Sequence, residues 1–136
     1  MVVTADYPGL YVPDDPTTAN RLVQSHYWLT RDDETRRLSM VHVADMTPNH
    51  RAHLLRWLRA NAWTMRAHVH RAIVDDSLYL RITLLERDRL IGRLMSQDPT
   101  DWIESTPLVQ KLVHLVPRAP ALPPRFGDRW RRRRTR

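Results

Sequence analysis

The sequence predicts an α+β domain that is mostly α-helical, and three observations lead to this fold class. With 136 residues, the chain is long enough to bury one modest hydrophobic core. A stretch of more than twenty residues after Pro48 lacks glycine and proline and carries apolar residues at helical spacing. Residues 25–45 alternate in polarity and are rich in β-forming residues. We therefore expect one β-hairpin beside a set of helices.

The chain divides into three parts by composition. Residues 1–20 contain three prolines and a glycine, so we expect an extended N-terminal arm that lies across the body. Residues 21–116 hold most of the apolar residues and are predicted to form a single globular domain. Residues 117–136 are predicted to be a proline-rich spacer followed by a flexible basic tail.

The β-hairpin is predicted from two alternating segments and a turn. The segments "SHYWLT" and "RRLSMVHVAD" are separated by "RDDE", which supplies turn-forming residues. Two antiparallel strands joined by a short loop are therefore expected within residues 25–45.

A first long helix follows the hairpin. Thr47 is a suitable N-cap residue and Pro48 fits the first helical position, where its missing N–H does no harm. Apolar residues then recur at steps of three and four, which places them on one side of a helix. These residues are Leu55, Leu58, Ala62, Met65, Val69 and Ala72.

Two further helices are expected downstream. "SLYLRITLLERDRLIGRLMSQ" predicts a second long helix antiparallel to the first, although the alternation from Leu78 to Leu84 would also suit a short strand. "DPTDWIESTPLVQKLVHLVP" then predicts a helical turn around Trp102 and a short third helix that begins at Thr106 and Pro107 and stops at Pro117.

The positive charge of the chain is concentrated at the C-terminus. The formal net charge is +7, from 22 basic and 15 acidic residues. Residues 117–136 hold eight arginines and one acid, Asp128, whereas residues 1–116 hold 14 basic and 14 acidic residues. Such asymmetry is typical of a tail that binds nucleic acid or another anionic surface.

The terminal cluster combines arginine with an aromatic ring. Six arginines and one tryptophan within residues 129–136 could neutralise several phosphates and stack on a base. The predicted nucleic-acid-binding residues of the tail are Arg129, Trp130, Arg131, Arg132, Arg133, Arg134 and Arg136.

A second basic surface is predicted on the first long helix. At about 100° per residue, one stripe beside the apolar one contains Arg56, Arg59, Trp63, Arg66 and His70. Arginines interleaved with tryptophans, including Trp57, offer phosphate contacts and stacking surfaces together. The alternative is a solvated helix face balanced by acids elsewhere, with the tryptophans buried under the N-terminal arm.

Enzyme chemistry is not indicated by any motif. His50 and His53 are three residues apart and His42 precedes them, but no carboxylate or HExxH pattern accompanies them, so we expect no metal and no cofactor. A hairpin followed by a helix with His26 and Asn49 would suit a small ββα-type metal nuclease only in outline. We expect a protein that is not an enzyme.

The compartment is predicted from what the sequence lacks. There is no cysteine, and we find neither a signal-peptide pattern nor an apolar stretch long enough for a membrane span. We expect a cytoplasmic protein that does not associate with membranes.

The segment "VADMTPNHRAHLLRWLRANA", with "DPTDWIESTPLVQKLVHLVP" after it, resembles small uncharacterised proteins encoded by phages of high-GC actinobacteria. The resemblance covers about half of the chain and implies a phage accessory protein in a bacterial host, with no catalytic residue to carry over. Together with the charge pattern, it predicts a non-enzymatic nucleic-acid-binding accessory protein. The alternative is a structural or interaction module that docks on a protein partner or on a second copy of itself.

Overall fold

The described residues are mostly α-helical and include one two-stranded β-hairpin, so the predicted mostly α-helical α+β class is confirmed. The computed structural model describes residues 10–32 and 34–115. The elements in chain order are α1 Pro16–Val23, β1 Tyr27–Arg31, β2 Leu38–His42, a 3₁₀ turn Val43–Asp45, α2 Pro48–Ala60, α3 Ala62–Leu78, α4 Leu84–Met95, α5 Pro99–Ser105 and α6 Pro107–Leu115.

The predicted N-terminal arm contains a helix that the sequence reading missed. Asp15 accepts a hydrogen bond from the Thr18 N–H at 3.1 Å, which caps α1, and Pro16 occupies its first turn. Proline breaks a helix in its interior, but a proline in the first turn of a helix does not interrupt it. The expectation of extended chain up to residue 20 is therefore wrong for α1, which buries Leu22 and Val23.

Residues 10–12 do lie against the hairpin, as expected for an arm. Leu10 forms an isolated antiparallel bridge with Thr30, and the Trp28 indole N–H donates to the Tyr11 carbonyl at 2.9 Å. Residues 1–9 lie outside the described residues. The described part of the arm therefore covers the free edge of β1.

The hairpin has the predicted position and direction. β1 and β2 pair antiparallel, with Tyr27 opposite His42 and Arg31 opposite Leu38. The Asp32 carboxylate accepts from the Glu34 N–H at 2.8 Å, and Arg36 adopts a left-handed backbone with φ 56°. The aspartate and the left-handed residue together close the turn.

The first long helix is two helices, α2 and α3, separated at Asn61. The Asn61 side-chain amide and its backbone N–H both donate to the Trp57 carbonyl at 2.9 Å. Because an asparagine amide competes for helix carbonyls, the backbone at Asn61 leaves the helical region, with φ −112° and ψ 24°. The apolar stripe survives this break, since each of its six residues is buried.

The second long helix begins later than predicted. α3 continues to Leu78, and α4 starts only at Leu84, where Thr83 accepts from the Glu86 N–H at 3.1 Å. Between them the Leu80 and Arg81 N–H groups donate back to the Ser77 and Asp76 carbonyls, a Schellman closure of α3. The alternative of a short strand from Leu78 to Leu84 is not adopted.

The two C-terminal helices lie where they were predicted. α5 spans the turn around Trp102, and α6 begins at Pro107 after Thr106. Leu108, Val109 and Leu112 of α6 are fully buried, so α6 is part of the core. The predicted spacer and basic tail lie outside the described residues.

The described residues include no helix long and apolar enough to cross a membrane.

Candidate nucleic-acid interface

Arg56 on α2 is an exposed cation, as predicted. Its guanidinium donates to Nδ1 of His53 at 2.6 Å, one turn earlier on the same helix. Since a guanidinium can only donate, the His53 nitrogen is the acceptor in this contact. The Arg56 charge is not balanced by a carboxylate in any ion pair of the described residues.

Arg59 is held by an acid on α5. Its Nε donates to Glu104 Oε1 at 2.6 Å and its Nη2 to Glu104 Oε2 at 3.2 Å. These bonds raise the pKa of Arg59 above its usual value, and both side chains remain nearly half exposed. A phosphate would therefore have to compete with Glu104 for this guanidinium.

Arg66 does not lie on an exposed stripe, so this part of the prediction is wrong. Only 9% of the residue is exposed, and its guanidinium donates to the Gln97 carbonyl in the loop between α4 and α5. Because the helix is interrupted at Asn61, angular positions counted along one continuous helix do not hold across the break. Arg66 thus ties α3 to the end of α4.

The two tryptophans of the predicted surface have opposite environments. Trp57 is 6% exposed and packs against Trp28 of the hairpin, with ring centroids 6.1 Å apart. It cannot stack on a base, contrary to the prediction, and the alternative of a buried tryptophan is correct for this residue. Trp63 is 71% exposed, and the Arg66 guanidinium lies over its ring at 5.3 Å.

A shallow cleft of about 220 Å³ lies beside Trp63. Arg66, Ala67 and His70 line it from α3, and Met95 lines it from the end of α4. Met95 was not considered from the sequence, because its proximity to Trp63 depends on the antiparallel return of α4 along α3.

Arg51 shows how a basic residue of α2 serves the fold. Its Nη1 donates to the carbonyls of Val43, Ala44 and Met46, at 3.4, 3.2 and 2.7 Å. A guanidinium is suited to this task because it carries several donors in a fixed plane. Arg51 therefore fixes the 3₁₀ turn before α2 and contributes little to an anion-binding surface.

The histidines considered from the sequence lie in two neighbouring pairs, His50 with His53 and His42 with His26. Burial, and secondarily the neighbouring His53, lowers the pKa of His50. His42 accepts from the Ala44 N–H through Nδ1 at 3.0 Å, and its ring lies 6.0 Å from that of His26. No group of three or more His, Cys, Asp or Glu side chains suited to a metal ion occurs in residues 10–32 and 34–115.

A large exposed apolar surface was missed by the sequence reading. Leu78, Tyr79 and Leu80, at the turn between α3 and α4, are 68%, 72% and 89% exposed. Leu84 and Leu85, in the first turn of α4, are 63% and 62% exposed. The signal was available in the leucine alternation from Leu78 to Leu84, which we interpreted only as secondary structure.

The seven predicted residues of the arginine-rich tail lie outside the described residues.

No protein-family model, curated protein or solved structure matches this chain.

Proposed function

We propose that this protein is a non-enzymatic nucleic-acid-binding accessory protein, encoded by a phage and active in the cytoplasm of its bacterial host. The observation that carries the proposal is the segregation of charge, with all of the net charge of +7 in residues 117–136. A segment of this composition gains affinity for nucleic acid by releasing the counterions of each phosphate that it neutralises. Trp130 within the cluster adds a stacking surface.

The body would add a second contact through Arg56 and Trp63. Arg56 is exposed, and Trp63 presents an indole ring whose neighbour Arg66 lies over it. A base stacked on the open side of the indole would extend an arginine–indole–base stack, which is favourable for single-stranded nucleic acid. Arg59 contributes less because Glu104 already neutralises it.

Salt dependence tests the role of the tail. Binding of the full chain to a fluorescent single-stranded RNA, single-stranded DNA and duplex DNA of equal length is measured by anisotropy at several salt concentrations. The matched variant keeps the chain length and replaces the six arginines of residues 129–136 with serine. We expect its slope of log affinity against log salt to be shallower by several units, at about 0.9 per phosphate on duplex DNA.

Two results would overturn the proposal. One is a full chain that binds none of the three nucleic acids at low salt, and the other is an unchanged slope in the serine variant. Cleavage of any substrate that EDTA abolishes would contradict the non-enzymatic part of the proposal and favour the metal-nuclease alternative.

The exposed apolar surface favours a second candidate function, a module that docks on protein. Monomeric proteins rarely leave a large contiguous apolar area in water. The apolar residues at the turn between α3 and α4 are therefore evidence for a protein contact.

A further inference from the structure

One side of α3 carries a second, mostly apolar stripe that is not part of the buried side of the helix, although His70 and Val74 at its centre are half-buried. We call it the outer stripe, and its members are Trp63, Ala67, His70, Val74 and Leu78. They follow one another at steps of four, three, four and four residues, which places them on one side of the helix. Trp63 and Leu78, at its two ends, are 71% and 68% exposed.

α4 widens the same surface. Met95 lines the cleft beside Trp63, Ala67 and His70, and it is 51% exposed. At the other end of α3, Leu80 is 89% exposed and has a left-handed backbone with φ 58°. Glycine is the residue that a helix C-terminus of this geometry favours, so an exposed leucine here is unfavourable for the isolated fold. An unfavourable backbone conformation that presents an apolar side chain to water indicates a contact.

The spacing of the outer stripe identifies the partner. Trp63 and Leu78 are equally far from the midpoint between residues 70 and 71, and so are Ala67 and Val74. If two copies of α3 lie antiparallel about a two-fold axis at this midpoint, each apolar residue meets an apolar residue of the other copy. Large side chains then cover one another at the ends, while the small side chain of Ala67, between the end and the axis, allows close approach. A two-fold contact requires such self-complementarity.

The charges are compatible with this arrangement. The 14 basic and 14 acidic residues of residues 1–116 balance, so the bodies of two copies do not repel each other through net charge. Arg71 near the axis forms an ion pair with Asp75 at 3.2 Å, so its charge is already partly compensated. Independently of the nucleic-acid proposal, we propose that the protein forms a two-fold symmetric dimer through the antiparallel outer stripes of α3.

The oligomeric state is measured on the full chain by sedimentation equilibrium, in 0.3 M salt and free of nucleic acid. We expect twice the chain mass of 16.1 kDa. Leu78→Asp should weaken dimerisation at least about tenfold, because it places a charge at an apolar contact. Met40→Asp is the matched control, since Met40 is 62% exposed on β2, and it should leave the dimer intact. A monomer up to about 100 µM would overturn the proposal and assign the surface to another protein.

Cross-linking tests the register, because the chain has no cysteine of its own. A disulfide requires Cα atoms within about 7 Å. His70→Cys, next to the axis, should cross-link to its own copy under mild oxidation. Ala67→Cys alone should not, but it should cross-link when mixed with Val74→Cys. A dimer in which Ala67→Cys cross-links to itself would contradict the antiparallel register. Since these measurements involve no nucleic acid, they can fail while the proposed function stands, and the reverse also holds.

Discussion

The inward and outward sides of the α2–α3 pair differ in how reliably the sequence predicts the environment of each side chain. On the inward side, Leu58 and Met65 are fully buried, as the spacing predicted. On the outward side, Arg56 is exposed, Arg59 is ion-paired and Arg66 is buried, although all three were predicted to share a surface. Burial of apolar residues follows from periodicity, whereas the partner of a charged side chain depends on which distant segment lies beside it.

A charged substitution on the inward side should have the largest effect on stability. Leu58→Asp places a carboxylate among buried apolar side chains, which costs several kcal/mol of a total stability of about 5–15 kcal/mol. We expect this variant to be unfolded at 25 °C by far-ultraviolet circular dichroism. Arg59→Gln, the neighbouring control, removes only a half-exposed ion pair and should shift the free energy of unfolding by less than about 1 kcal/mol. Equal melting temperatures would mean that the assignment of faces is incorrect.

The fold class, the hairpin, α5 and α6 could be predicted because each depends on local signals, such as Thr106 with Pro107 before α6 or the alternation in β1. The break at Asn61 was missed because an asparagine within an amphipathic pattern usually remains helical, and only its bonds to the Trp57 carbonyl reveal the end of α2. The cleft beside Trp63 could not be predicted from local sequence, because Met95 reaches it from α4, some thirty residues away.

A comparison of two arginines sharpens the distinction between structural and surface charges. Arg66→Met keeps the length of the side chain but removes the buried guanidinium that donates to the Gln97 carbonyl. We expect the free energy of unfolding to fall by about 1–3 kcal/mol, measured by urea denaturation. Arg56→Met is the matched control on the exposed side, and it should change stability by less than about 0.5 kcal/mol. If both variants were equally stable, the contact with Gln97 would contribute nothing to the fold.

A substitution in the turn between α3 and α4 should stabilise the monomer and weaken the proposed dimer. Leu80→Gly removes a side chain from a left-handed position, which should stabilise the protein by up to about 1 kcal/mol. The same change removes an exposed leucine from the proposed dimer surface, so dimerisation should weaken. Stability is measured by thermal denaturation of the Leu78→Asp monomer with and without Leu80→Gly, which separates the backbone effect from dimer formation. A loss of stability would show that Leu80 is required within the monomer.

The smallest expected effect concerns His50, which lies on the inward edge of α2. Burial holds the pKa of His50 below its usual value of 6.5 in the folded protein. Above pH 6.5, both the folded and unfolded states are neutral at this position, so the shift contributes nothing to stability. As the pH falls below 6.5, the unfolded state takes up the proton first, and stability decreases until the pH has passed the lower folded pKa. His50→Gln, which cannot titrate, should therefore lose less stability than the parent protein between pH 7 and pH 5, as measured by urea denaturation at each pH. A parallel loss in the His50 variant would show that the acid sensitivity of this range arises elsewhere.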